Sequence, residues 1–218
     1  AALDFINAGP NLQITALADV FQDRVDDARK TIREEGGQTV PEEYCFAGFD
    51  AFRKVIESGV DVVLLATPPY FRPEHFTAAI EAGKHVFIEK PVAVDPVGVR
   101  SVIETTGQAR TKGLSVVSGT CYRHQTRVLE TYHRVAEGAI GEFLSARCYY
   151  NVGQLWYRER EEGWSDMEWL VRDWLNWCWL SGDHIVEQHI HNLDTISMYI
   201  GTHPVKAVGF GSRQRRVT

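Results

Sequence analysis

The sequence predicts an α/β protein: a doubly wound parallel sheet in its N-terminal half, followed by part of a second α/β domain with a mainly antiparallel sheet. Three observations carry that prediction. The short strands of the first half are apolar throughout, so both faces are covered. Helical segments separate them, which is the pattern of right-handed parallel crossovers. Past Gly119 the texture changes to a longer, alternating strand and a Trp-rich loop.

Each element follows from its residues. Residues 12–18 are a near-continuous apolar strand closing on Asp19, and residues 21–35 are polar and helical until Gly36-Gly37 stops them. Residues 49–57 give a short helix and residues 60–66 the next strand. Pro73 fits a first helical turn and Gly83 closes the helix over 74–82. Strand 85–88, helix 96–111 and strand 114–118 complete the first domain, assigned to residues 1–120. The second domain, residues 121–218, opens with a helix over 127–137 ended by Gly138. It continues with an alternating strand over 143–151, a loop over 153–173, two helical stretches ending near Ile200, and a strand over 205–210.

With 218 residues, 44% hydrophobic and 24% charged, the chain has an ordinary globular composition and enough apolar residues for a real core. A net charge of -6 provides no basic footprint, which argues against nucleic acid. No apolar stretch reaches membrane-spanning length. Cys45, Cys121, Cys148 and Cys178 are scattered without a CxxC pair and read as unpaired thiols. Residue 1 is not Met, and the chain opens in what reads as the middle of an amphipathic helix. The expectation is a fragment, and its compartment, cytoplasmic or exported, is left undetermined.

No G-x-G-x-x-G turn occurs. Asp19 nevertheless stands at the tip of the first visible strand, where a ribose-binding carboxylate belongs, which would put the first strand and its glycine turn upstream of Ala1. The alternative is that Asp19 caps the next helix. No cation follows at Val20 or Phe21, so NAD is favoured, with NADP open because Arg24 lies one turn on. Thr67-Pro68-Pro69 makes a stiff loop after the 60–66 strand, and His75 follows it.

The run Ala82-Gly83-Lys84-His85-Val86-Phe87-Ile88-Glu89-Lys90-Pro91 joins Ala18-Asp19, Thr67-Pro68-Pro69, His75 and His191-Asn192-Leu193-Asp194 in a resemblance spanning about residues 1–200. These residues resemble the family of glucose–fructose oxidoreductase, inositol dehydrogenase and MocA-type enzymes. The resemblance implies a Rossmann domain followed by an open-sheet α/β domain, a homo-oligomer, and hydride transfer between nicotinamide and a sugar-like alcohol. It implies that Lys90 touches cofactor and substrate hydroxyl, and that His191 is the acid/base. It extends cofactor contacts to Asp19, Thr67, Pro68, His75, Glu89, Lys90, Pro91 and Arg123.

Chemistry agrees with these roles. Alcohol oxidation requires a base at the hydroxyl, which an imidazole near neutrality supplies. An ammonium stabilises the developing alkoxide. Glu187, four residues before His191, would share its helical face and could fix its tautomer, making Lys90, Glu187 and His191 the catalytic set. The family usually has Asp at the position of Glu187, so substrate and reaction are open. His184, Glu187 and His191 also fall at zinc-like spacing on one helical face, but without HExxH, and no metal is expected. Arg123 is alternatively a helix-start cation. The six tryptophans between 156 and 179 are either sugar-stacking faces or core and subunit contacts. Two rivals to the dehydrogenase are a glycosidase-type enzyme that returns its NAD unchanged, and a non-catalytic sugar-binding or regulatory protein.

Overall fold

The computed structural model describes residues 1–212, which divide into two compact units. The first gathers Ala1–Thr120 together with Val152–Ile190; the second holds Cys121–Asn151 and the chain from His191 on. Chain order alone gives no sign that residues 152–190 pack with the first 120.

Among the described residues, five strands, all in the first unit, are paired in parallel. After α1 (Ala2–Asn7) come β1 (Leu17–Asp19), α2 (Gln22–Gly36), β2 (Cys45–Ala47), α3 (Ala51–Glu57), β3 (Val62–Leu65), α4 (Arg72–Glu81), β4 (His85–Ile88), α5 (Pro96–Thr111) and β5 (Val116–Ser118). Strands β1 and β2 form one sheet; β3, β4 and β5, in that order, form another. Between β1 and β3 lies a cavity of about 410 Å³, lined by residues 12–18 and 60–65. It occupies the position of the central first strand in a doubly wound sheet.

The core sits where α4 and α5 cover β3 and β4. Phe76 and Ile80 are fully buried against Val63, Leu65, Val86 and Ile88, all under a tenth exposed. Burial of a side chain such as Phe76 stabilises by about 2–3 kcal/mol. Helix α5 starts where Asp95 Oδ1 accepts the Gly98 N–H at 2.7 Å, with Pro96 preset for the first turn. Gly83, at φ +74, makes the turn from α4 into β4 that a Cβ would strain.

Residues 152–190 add α7 (Asp166–Arg172), α8 (Cys178–Ser181) and α9 (Asp183–Glu187) to this unit. Arg172 ties them back, donating to both carboxylate oxygens of Asp23 at 2.8 and 2.9 Å and lying 3.8 Å over the Phe21 ring.

The second unit contains α6 (Thr126–Ala136), and α10 (Ile190–Ile200) runs into it. The alternating stretch 143–151 forms no strand, nor does 205–210. Alternation marks which side of a strand would be buried, but a strand exists only by pairing its backbone, and the described residues of this unit hold no partner strand. Tyr149 O instead accepts from the Asn192 side chain at 2.7 Å. The antiparallel sheet anticipated from the sequence is therefore absent among the described residues.

Candidate active site

Parallel strands deliver their C-terminal ends to one edge of the sheet, the edge at which such folds bind ligands. At that edge β4 ends in Glu89-Lys90-Pro91, with a cis Lys90–Pro91 bond. Lys90 Nζ donates to Glu187 Oε1 at 2.7 Å and to Glu187 O at 2.5 Å. Both side chains are shielded, at 15% and 8% exposure. The second carboxylate oxygen of Glu187 takes a hydrogen bond from the Gln188 amide. Glu187 comes from the C-terminal end of α9, so the ammonium is oriented by a residue 97 positions away.

The neighbouring tips are equally constrained. Gly119, just past β5, lies against Glu89; a Cβ there would collide with the Glu89 carboxyl and reach its Cα at 3.0 Å. Thr67 Oγ1 and His75 Nδ1 share a hydrogen bond of 3.3 Å, and the His75 ring stacks on Phe52 at 4.0 Å. Burial, with Arg53 nearby, lowers the His75 pKa to about 4, so the imidazole is neutral near pH 7. Arg72 is 3% exposed and spreads its guanidinium over the carbonyl oxygens of Thr67, Glu89 and Pro91.

Asp19 and Thr67, together with Pro68 and His75, line a cavity of about 550 Å³. Asp19 Oδ1 accepts the Phe21 N–H at 3.0 Å, and surrounding protein raises the carboxyl pKa by desolvation against that bond. A carboxylate accepts several donors, so ribose hydroxyls still find an acceptor here. Phe21, Phe49, Phe71, Trp156 and Trp174 supply aromatic walls, and Arg24, Arg158 and Arg172 supply cations. The acceptor at the strand tip and the flat apolar walls fit a dinucleotide. Trp156 and Trp174, whose rings meet edge-on at 5.7 Å, belong to this cavity. Sequence alone offers sugar stacking or core and subunit contacts for the tryptophans and does not connect them with Asp19. It also misses Arg72, which no motif marks. Its one signal is a cation between Pro69 and Pro73 in an otherwise apolar run.

The remaining expected residues lie in the second unit. His191 is 7% exposed, and its ring stacks on Tyr122 at 4.2 Å, with Tyr150 at 6.5 Å. Arg123 donates through Nε and one terminal nitrogen to the two oxygens of the Asp194 carboxylate, which raises its pKa further. One premise of the sequence reading fails here. Glu187 ends α9, the turn at Gln188-His189 breaks the helix, and His191 lies on α10, so the two do not share one helical face. Among the described residues no group of three metal-ligating side chains is assembled.

With a nicotinamide-type fold and a lysine at its sheet edge in view, comparison with known proteins is decisive about family. Residues 2–118 match the Gfo/Idh/MocA family, described as an oxidoreductase family with an NAD-binding Rossmann fold, and the chain belongs to it. It is 25% identical over 201 residues to 2,7-anhydro-N-acetylneuraminate hydratase of Escherichia coli, covering 92% of this chain and 46% of that protein. It is 29% identical over 156 residues to 1,5-anhydro-D-fructose reductase of Ensifer adhaerens, covering 68% of this chain and 40% of that one. The chain thus spans less than half the length of either relative. An oxidoreductase domain protein from Kribbella flavida has the same fold, with a TM-score of 0.65, 21% identity, and coverage of 92% of this chain and 50% of its own.

Proposed function

We propose that this chain is the catalytic part of an NAD(P)-dependent oxidoreductase acting on a sugar, polyol or related alcohol, with NAD the preferred cofactor. The observation that carries the reading is the shielded Lys90 ammonium at the tip of β4, oriented by Glu187, in the unit that also presents Asp19 to the nucleotide-sized cavity. A nicotinamide bound there supplies a hydride acceptor and donor.

Lys90 is assigned to the substrate hydroxyl. Its three ammonium donors serve Glu187 and still reach an oxygen, and the charge stabilises the alkoxide that grows as the proton leaves. Glu187 balances that charge and limits the rotamers Lys90 samples. His191 is assigned as proton acceptor, its ring stacked on Tyr122 with Tyr150 further off. Asp19 is assigned to the ribose hydroxyls. Thr67, Pro68 and His75 are assigned to the cofactor wall, and Glu89 and Pro91 to the frame that fixes Lys90. Arg123 is assigned to bracing α10 through Asp194.

A second reading is supported by the relatives that include a hydratase and glycosyl hydrolase family 109 proteins. Hydration changes no net oxidation state, so an enzyme of that kind, or one cleaving a glycosidic bond, would return its cofactor unchanged. The two are separated by following NADH absorbance over a panel of sugars, polyols and unsaturated or glycosidic sugars. Net reduction of NAD that disappears in Lys90→Met supports the dehydrogenase. Product formed with tightly held NAD and no net change in absorbance supports the second reading, and absence of any nucleotide binding overturns both.

A further inference from the structure

Arg72 is a cation in the core of the first unit, 3% exposed, and it forms no ion pair among the described residues. Burial lowers its pKa to about 10, with Glu89 and Glu187 opposing the shift. An unpaired buried charge is costly, so what its donors hold is informative. Nε donates to Thr67 O at 2.7 Å, and one terminal nitrogen donates to Glu89 O at 2.8 Å and Pro91 O at 2.6 Å. Glu89 and Pro91 are the two residues flanking Lys90, and Thr67 belongs to the neighbouring strand tip.

We propose that Arg72 is a positioning residue: its guanidinium clamps the carbonyls on either side of Lys90 to the Thr67 loop, and thereby sets where the lysine ammonium points. The planar guanidinium suits this arrangement because it sends five N–H donors outward in fixed directions. A lysine at 72 offers three donors from one atom and cannot reach three carbonyls spread across two strand ends. Arg72 is also the first residue of α4, whose Phe76 and Ile80 are fully buried, so the clamp is anchored to the core. Strand geometry delivers Lys90 to the sheet edge; Arg72 restricts its backbone there. The inference rests on Lys90 being the working group of the proposed function.

The test measures Lys90 directly. Trace labelling of amines with acetic anhydride, read by mass spectrometry of the peptide containing Lys90, is compared in the wild-type chain, Arg72→Lys and Arg72→Met. Lys30 and Lys54, both exposed, serve as internal references. In folded variants Lys90 labelling should rise about fivefold, what loosening one ordinary hydrogen bond is worth, while the references stay constant. Turnover should fall through kcat with KM little changed. Unchanged Lys90 labelling in a folded variant overturns the proposal, as does a parallel rise at all three lysines. If Arg72→Met does not fold, Arg72→Lys decides; if neither folds, Arg72 is a stability residue and the positioning role is overturned. Labelling requires no turnover, so its outcome is independent of whether the proposed reaction is correct.

Discussion

Lowering the pH through the acid range protonates His75 in the unfolded chain before it does so in the folded one. Its ring is stacked on Phe52 and bonded to Thr67, so accepting a proton means burying a positive charge, with the exposed Arg53 cation adding a smaller repulsion. The ordinary imidazole value of 6.5 falls to about 4 in the folded chain. Because the folded pKa is depressed, the stabilisation is complete above the unfolded value and is lost as the pH drops towards the folded one. The gap corresponds to about 3 kcal/mol in total, and to about 2 kcal/mol between about pH 7 and pH 5. All six tryptophans, from Trp156 to Trp179, lie in the segment that packs into the first unit, so their fluorescence reports that unit alone. Urea unfolding followed by this signal, for wild type and His75→Gln across that pH range, isolates the His75 contribution because the other acids titrate alike in both. The wild-type curve should be the steeper by about 2 kcal/mol. Parallel curves would refute the reasoning, since a buried neutral imidazole cannot be insensitive to protonation.

Four further outcomes are expected. Lys90→Met should lower kcat by about a thousandfold while leaving NAD binding detectable by calorimetry, as expected when a group acts on developing charge. Asp19→Ala should weaken NAD by about tenfold to a hundredfold, and NADP less, measured as the ratio of kcat/KM values. Gly119→Ala should lower the thermal midpoint, because its Cβ meets the Glu89 backbone as well as the carboxyl; recovery of stability in Gly119→Ala/Glu89→Ala would indicate that only the side chain was in the way. AMP should quench tryptophan fluorescence, and Trp156→Leu should remove much of the change if the aromatic wall beside Asp19 meets the adenine.

The sequence made some of this visible and hid the rest for identifiable reasons. Helix α5 was predicted at its observed bounds, and the structure shows Asp95 capping its start. Strand β4 was equally clear, as His85 and three apolar residues between Gly83-Lys84 and Glu89. Strand β2 was not, since Cys45-Phe46-Ala47 is too short for any period to appear. Residues 143–151 had the period of a strand without a partner to pair with. The helix break at Gln188-His189 involves neither Gly nor Pro, so Glu187 and His191 were read as a helical pair. Lys90 stood out through its motif, whereas its bond to Glu187 and the Arg72 clamp depend on tertiary placement that no local window records.

The return of residues 152–190 to the first unit also has a consequence for biosynthesis. Arg172 meets Asp23 across 149 positions, and Glu187 meets Lys90 across 97. A ribosome adding about 5–20 residues per second takes about 4–14 s to travel from residue 120 to residue 190. Throughout that interval the nascent nucleotide-binding half carries an uncompensated lysine at its sheet edge and lacks the tryptophan wall of its cavity. A chain cut at residue 120 would lack both the Glu187 partner of Lys90 and the tryptophan wall, which the downstream segment supplies.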